Sequence, residues 1–123
     1  MLNVGVIGAG RIGQLHVKNL KKIPHINIKA IADIQQEAIM TWAKNENIEF
    51  ITKDPMEIIN DPMIDAVIIC SPTNTHAQLI IESAKAKKHI FCEKPVSFST
   101  EETKKALEFV KKHGVILQVG FNR

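Results

Sequence analysis

Apolar residues cluster in six short runs along the chain, and between the runs they recur at helical spacing. The runs are Leu2–Ile7, Ile26–Ala32, Glu49–Ile51, Asp65–Cys70, His89–Cys92 and Val115–Val119. Asp65-Ala66-Val67-Ile68-Ile69-Cys70 is a continuous apolar stretch of the kind that is buried on both faces of a parallel sheet. Between the first two runs Ile12, Leu15, Leu20 and Ile23 predict a helical stripe that lies on a sheet, with Pro24 marking the helix end. Ala38, Ile39, Trp42 and Ala43 predict a second buried stripe within residues 35–46, in which Trp42 reads as core. Asp54-Pro55-Met56-Glu57 is a helix start, with Asp54 as N-cap, Pro55 at the first helical position and Glu57 closing a capping box. The Asn60-Asp61-Pro62 turn ends that short helix. A further helix is expected over residues 75–87. A last one opens with a Ser99/Glu102 capping box and stops at Gly114. Strands alternating with helices, without repeat, linker or low-complexity tract, predict a single α/β domain over residues 1–123, built as a doubly wound parallel sheet.

The first strand runs directly into Gly8-Ala9-Gly10-Arg11-Ile12-Gly13, a G-x-G-x-x-G turn that opens a helix. In such a turn Gly8 allows the tight reversal, Gly10 lets the backbone approach a pyrophosphate, and Gly13 lets helix and strand pack closely. The helix start offers unpaired N–H groups and a positive dipole end to phosphate oxygens. Asp33 ends the second strand about 20 residues on, where an acid accepts hydrogen bonds from an adenosine ribose. Strand, turn, helix, strand and acid in this order point to a dinucleotide. Asp33, followed by Ile34 rather than by a phosphate-binding arginine, points to NAD over NADP.

Length and charge narrow the field. At 123 residues the chain is large enough for a core. Its net charge of +3 comes from scattered lysine pairs (Lys21-Lys22, Lys87-Lys88, Lys104-Lys105, Lys111-Lys112), read as a solvated face near helix ends. Aromatic residues make up only 5%, which with the absence of a basic run speaks against nucleic acid. No stretch is apolar over the length of a bilayer span, and the N-terminus lacks the features of a signal peptide. Cys70 and Cys92 have no metal-ligand or C-x-x-C spacing and read as small hydrophobes in a reduced, cytoplasmic protein; no metal is expected. His16 and His25 read as surface or packing residues.

Two loops remain, both at strand ends, where open parallel sheets bind their ligands. Ser71-Pro72-Thr73-Asn74-Thr75-His76 follows the fourth strand and is a candidate wall of a nicotinamide pocket; a plain helix cap from Asn74 or Thr75 would account for the same residues. Glu93-Lys94-Pro95 follows the fifth. A lysine there can hydrogen-bond a substrate oxygen, and a solvated Glu and Lys at a strand tip is the competing reading.

Taken together, the glycine turn, Asp33, Ser71-Pro72-Thr73…His76, Phe91-Cys92-Glu93-Lys94-Pro95 and Gly120-Phe121-Asn122-Arg123 resemble the N-terminal, NAD-binding half of the Gfo/Idh/MocA oxidoreductases, the inositol 2-dehydrogenases among them. The resemblance implies a Rossmann domain followed by an α/β domain with a large open sheet, and a homo-oligomer. It also implies hydride transfer between nicotinamide and a carbon bearing a sugar or cyclitol hydroxyl. By the same resemblance Gly8, Gly10, Arg11 and Ile12 hold the pyrophosphate and Asp33 the ribose. Ser71, Thr73, Asn74 and His76 border the nicotinamide, with Glu93 beside the ribose or ring, and Lys94 holds and polarises the reacting hydroxyl. An Asp and a His of the second domain would complete the acid/base set, and that domain is expected to be absent from this chain, leaving the cofactor-binding half. A stand-alone dinucleotide-sensing module is the main alternative, against which Lys94 argues because a sensor needs no hydroxyl-binding lysine. A methyltransferase fits the six-strand pattern less well.

Overall fold

Alternation of strand and helix runs through the computed structural model, which describes residues 1–120. The strands are β1 (Leu2–Ile7), β2 (Ile26–Ala32), β3 (Phe50–Thr52), β4 (Ala66–Ile69), β5 (His89–Glu93) and β6 (Leu117–Gly120). The helices are α1 (Arg11–Leu20), α2 (Gln36–Asn45), α3 (Pro55–Ile59), α4 (His76–Lys85) and α5 (Thr100–His113), with a 3-10 turn over Thr73–Thr75. All strand pairs are parallel, in the order β3-β2-β1-β4-β5-β6. The expected doubly wound sheet is therefore present, and the chain reverses its winding between β1 and β4. Of the terminal motif, Phe121, Asn122 and Arg123 lie outside the described residues.

Strand residues alternate between two cores. Val67 and Ile69 point into a cluster with Ile58, Ile80, Ala84 and Ala106, under α3, α4 and α5. Ile68 faces the opposite cluster with Val17, Ile39 and Ala43, under α1 and α2. Both faces of β4 are thus covered, as its unbroken apolar run requires.

Three local expectations need correction. Helix α1 turns Gly13 and Val17 to the sheet, whereas Ile12, Leu15 and Ile23 are 37%, 49% and 48% exposed. The close approach of Gly13 to the glycine turn sets the helix rotation, and it overrides the apolar stripe. Second, neither capping box closes directly. Asp54 accepts from Met56 N–H at 2.9 Å and Ser99 from Glu102 N–H at 3.2 Å, as N-caps should. The third-position acids instead bond a hydroxyl two residues ahead of the cap, Glu57 to Thr52 and Glu102 to Ser97, and that hydroxyl accepts from the cap N–H. Third, Lys88 is not solvated. It is 6% exposed, and its Nζ donates to the carbonyls of Asp61 at 2.6 Å and Ile64 at 2.5 Å. Burial lowers its pKa, opposed by the Asp61 and Asp65 carboxylates.

Lys88→Met should therefore keep the aliphatic packing and take the ammonium from the Ile64 carbonyl, while the Asp61 carbonyl keeps the Ile64 N–H at 3.1 Å. The expected loss is about 1–3 kcal/mol, read as a lower urea midpoint at unchanged slope. A midpoint equal to that of the wild type would show that water replaces the ammonium without cost.

Candidate functional site

The strand ends on either side of the winding reversal gather the residues singled out above. Gly8 has φ +93°, and a Cβ there would lie 2.5 Å from Ser71 N and 2.7 Å from the Cys70 carbonyl carbon. A Cβ on Gly13 would lie 2.0 Å from the Gly8 carbonyl oxygen. Both glycines are thus required by the protein itself. Gly10 differs: it caps α1 in extended conformation, and a Cβ there would meet no atom within 4 Å. No protein neighbour excludes a side chain at Gly10, which leaves the space beside it open to a ligand. Helix α1 has no side-chain cap and no acidic residue in its first turn, unlike α3 and α5. Uncapped N–H groups and unopposed helix dipole suit an anion.

Asp33 sits at the carboxyl end of β2, beside that turn. One of its oxygens accepts from Ala9 N–H at 2.8 Å and the other from Gln35 N–H at 2.8 Å. Gly8 N–H donates to Ala32 C=O at 2.7 Å, so the glycine turn is stitched to the end of β2 twice. The carboxylate is half-buried, with lone pairs left for hydroxyl groups.

Across the reversal, Ser71 Oγ and Thr75 Oγ1 are 2.7 Å apart, and Thr75 Oγ1 donates to Pro72 C=O at 2.6 Å. Neither Asn74 nor Thr75 caps α4 with its side chain, so the helix-cap reading of this loop does not hold. Thr73 is half-buried and Asn74 exposed on the 3-10 turn. His76 differs from its expected place on the nicotinamide wall. It is 2% exposed, with Nε2 2.7 Å from Ser71 C=O and Nδ1 2.8 Å from Pro95 C=O. Both ring nitrogens are taken up by backbone, which leaves no polar atom for a ligand.

Glu93 ends β5 and Lys94 follows it, exposed at the same sheet edge. The Glu93 carboxylate pairs with His16 Nε2 of α1, and the His16 ring packs edge-on against Phe91 with centroids 5.1 Å apart. His16 is therefore a packing residue that also bonds a distant carboxylate. Its partner lies 77 positions away, beyond any local reading, but a helical wheel anchored on Gly13 and Val17 would have placed it toward the sheet. Cys70 stands beside this pair, and His16, Cys70 and Glu93 bring their ligating atoms within 4.8 Å of one another. Burial first, then the Glu93 carboxylate, push the Cys70 and Cys92 thiols up to about 12. Both cysteines are free. At neutral pH they are protonated, which removes them as nucleophiles. A groove of about 790 Å³ between α1 and α2 shares Arg11 and Ile12 with the glycine turn but none of Asp33, Ser71 or Lys94. It lies on the outer face of α1 and is not the strand-end site.

The chain is similar to known proteins over nearly its whole length. It is 64% identical over 119 residues to an uncharacterized oxidoreductase, YrbE, of Bacillus subtilis, covering 97% of this chain and 35% of that protein. To the myo-inositol 2-dehydrogenase of Thermotoga maritima it is 47% identical over 122 residues, 99% of this chain and 36% of that one. The structure of scyllo-inositol dehydrogenase from Lactobacillus casei with bound NAD(H) and scyllo-inositol superposes with a TM-score of 0.91 at 29% identity, covering 98% of this chain and 36% of that one. The chain thus spans about a third of the length of the relatives it matches. Among the described residues no helix is long and apolar enough to cross a membrane. A family model described as the oxidoreductase family, NAD-binding Rossmann fold (GFO_IDH_MocA), matches residues 2–121, and with the glycine turn, Asp33 and Glu93-Lys94-Pro95 assembled at one sheet edge, the chain belongs to that family.

Proposed function

We propose that this chain is the NAD-binding domain of a longer cytoplasmic oxidoreductase that moves a hydride between the cofactor and a hydroxyl-bearing carbon of a cyclitol or sugar. The observation that carries the reading is the placement of Lys94, exposed at the end of β5, on the same sheet edge as the uncapped start of α1. When bound, the nicotinamide supplies the hydride acceptor or donor. The chain's own residues do the rest of the work available to it. Gly10, Arg11 and Ile12 hold the pyrophosphate through backbone N–H groups, and Gly8, whose own N–H is taken by Ala32 C=O, makes the turn that presents them. Asp33 accepts from the ribose hydroxyls while keeping the turn in place through Ala9. Ser71, Thr73 and Asn74 border the nicotinamide side, Glu93 stands beside the ribose or ring, and Lys94 donates to the substrate hydroxyl. The substrate pocket, the proton acceptor and the homo-oligomer contacts are assigned to further chain; a relative such as the myo-inositol 2-dehydrogenase is about three times as long as this chain. The similarity to an enzyme named for myo-inositol supports a polyol substrate.

Calorimetric titration of the chain with both cofactors tests the binding half. NAD(H) is expected to bind more tightly, because the Asp33 carboxylate repels a 2′-phosphate; equal or tighter NADP(H) would overturn the assignment. Asp33→Ala should weaken NAD by about 10–100-fold, the worth of one or two hydrogen bonds to a charged group, with a small drop in melting temperature from the lost Ala9 and Gln35 ties. The isolated chain should show no NADH formation with myo-inositol and NAD, while the full-length protein should. Tight NAD binding with no turnover of any polyol by the full-length protein would favour the sensing module.

A further inference from the structure

His76 is a buried ionisable side chain at the sheet edge, and its ring lies between two loops that both border the proposed cofactor site. Strands β4 and β5 are neighbours, with Ile69 opposite Cys92, so the loops that follow them leave the sheet side by side. Ser71 opens the first loop, and Pro95 directly follows Lys94 in the second. Between Glu93 and Thr100 the chain has no regular secondary structure, and Lys94 and Pro95 are exposed. Val96 is buried in the core, and the rest of this stretch depends on polar ties, of which the bond from His76 Nδ1 to Pro95 C=O is anchored next to Lys94 itself. Carbonyl oxygens only accept, so the ring bonds both at once only with both nitrogens protonated; a neutral ring has one N–H and bonds one of the two, and the tie to Pro95 requires that N–H on Nδ1.

We propose that His76 is a positioning residue for the reaction: by holding the Pro95 carbonyl it fixes where the Lys94 ammonium meets the substrate hydroxyl, while its second nitrogen faces the Ser71 carbonyl. His76 touches neither cofactor nor substrate. This inference rests on the reading of Lys94 as the hydroxyl-binding group. It differs from that reading in assigning a buried histidine, rather than an exposed lysine, the control of turnover without cofactor affinity.

The two ring nitrogens can be separated by substitution. An asparagine amide nitrogen occupies the Nδ1 position, and a glutamine amide nitrogen the Nε2 position. In the full-length protein His76→Asn should keep the Pro95 tie and most of kcat. His76→Gln should keep only the Ser71 tie and lose about 10–100-fold in kcat, the scale of a misplacement near 1 Å, with the Kd for NAD unchanged. Equal kcat in the two variants would overturn the proposal, as would a loss confined to NAD affinity. Lys94→Ala, run in the same assay, separates the two failures: full activity there sinks the role of Lys94 and not the clamp geometry. Should either variant fail to fold, a crystal structure of the wild-type full-length protein with NAD decides. A Pro95 carbonyl still bonded to His76 Nδ1 supports the proposal, and one turned away from the ring overturns it.

Discussion

Replacing Lys94 by alanine in the full-length oxidoreductase should lower kcat by about 10²–10³-fold, the usual cost of removing one preorganised donor from a developing oxyanion. Removal of the hydroxyl proton leaves negative charge on the substrate oxygen, and an ammonium at the strand end is worth more to that oxygen than to the neutral alcohol. The loss should therefore fall on kcat more than on KM. NAD affinity should stay at the wild-type value, since the proposed phosphate and ribose contacts lie on α1 and at the end of β2, across the winding reversal from Lys94. Lys94→Arg should recover little, because a planar fork cannot present one donor along the same line as an ammonium. Steady-state kinetics with myo-inositol, paired with NAD titration, would check this. A Lys94→Ala enzyme that keeps wild-type kcat would remove Lys94 from the reaction.

Gly13→Ala should be a severely damaging small substitution. The added Cβ would lie 2.0 Å from the Gly8 carbonyl oxygen and 3.0 Å from its carbon, both backbone atoms that cannot swing aside. Either α1 lifts from the sheet or the turn deforms, at a cost of about 1–3 kcal/mol or more. For a domain of this size each kcal/mol lowers the melting temperature by roughly 4 °C. NAD binding should fail with it, because the displaced turn is the one proposed to face the phosphates. Gly10→Ala offers the contrast, since no atom lies within 4 Å of its added Cβ. Its melting temperature without cofactor should match the wild type while NAD affinity falls. A Gly10→Ala chain that binds NAD as tightly as the wild type would show that the open space beside Gly10 is not used by the cofactor.

The residues that could be read in advance are those whose job is local. Gly8, Gly10 and Gly13 declare themselves by spacing, Asp54 and Ser99 by their place before a helix, and Gly114 by a left-handed conformation with φ +67° that closes α5. Strand order follows from connections between parallel strands, which obey few rules. What could not be read is what depends on a second segment. The face that α1 shows the sheet is decided by the Gly8 carbonyl and not by Ile12 or Leu15. The capping acids at Glu57 and Glu102 reach Thr52 and Ser97 because those hydroxyls stand between acid and cap. His16 finds Glu93, and His76 finds Pro95, across gaps that no helical or alternating period spans.

The order of strands in the sheet also governs how the chain can fold as it leaves the ribosome. The first half, β3-β2-β1, can form from residues that emerge early, but it leaves one side of β1 without a partner until β4 arrives, since Val4 pairs with Ala66. An open strand edge in a nascent chain is a template for pairing with another copy. From β4 onward the open edge moves outward and waits less: β5 joins β4 and β6 joins β5 after shorter stretches of chain, each without reopening what has formed. The interval between the synthesis of β1 and β4 is thus the one in which this domain most needs protection from its neighbours, and the arrival of residues 66–69 ends it.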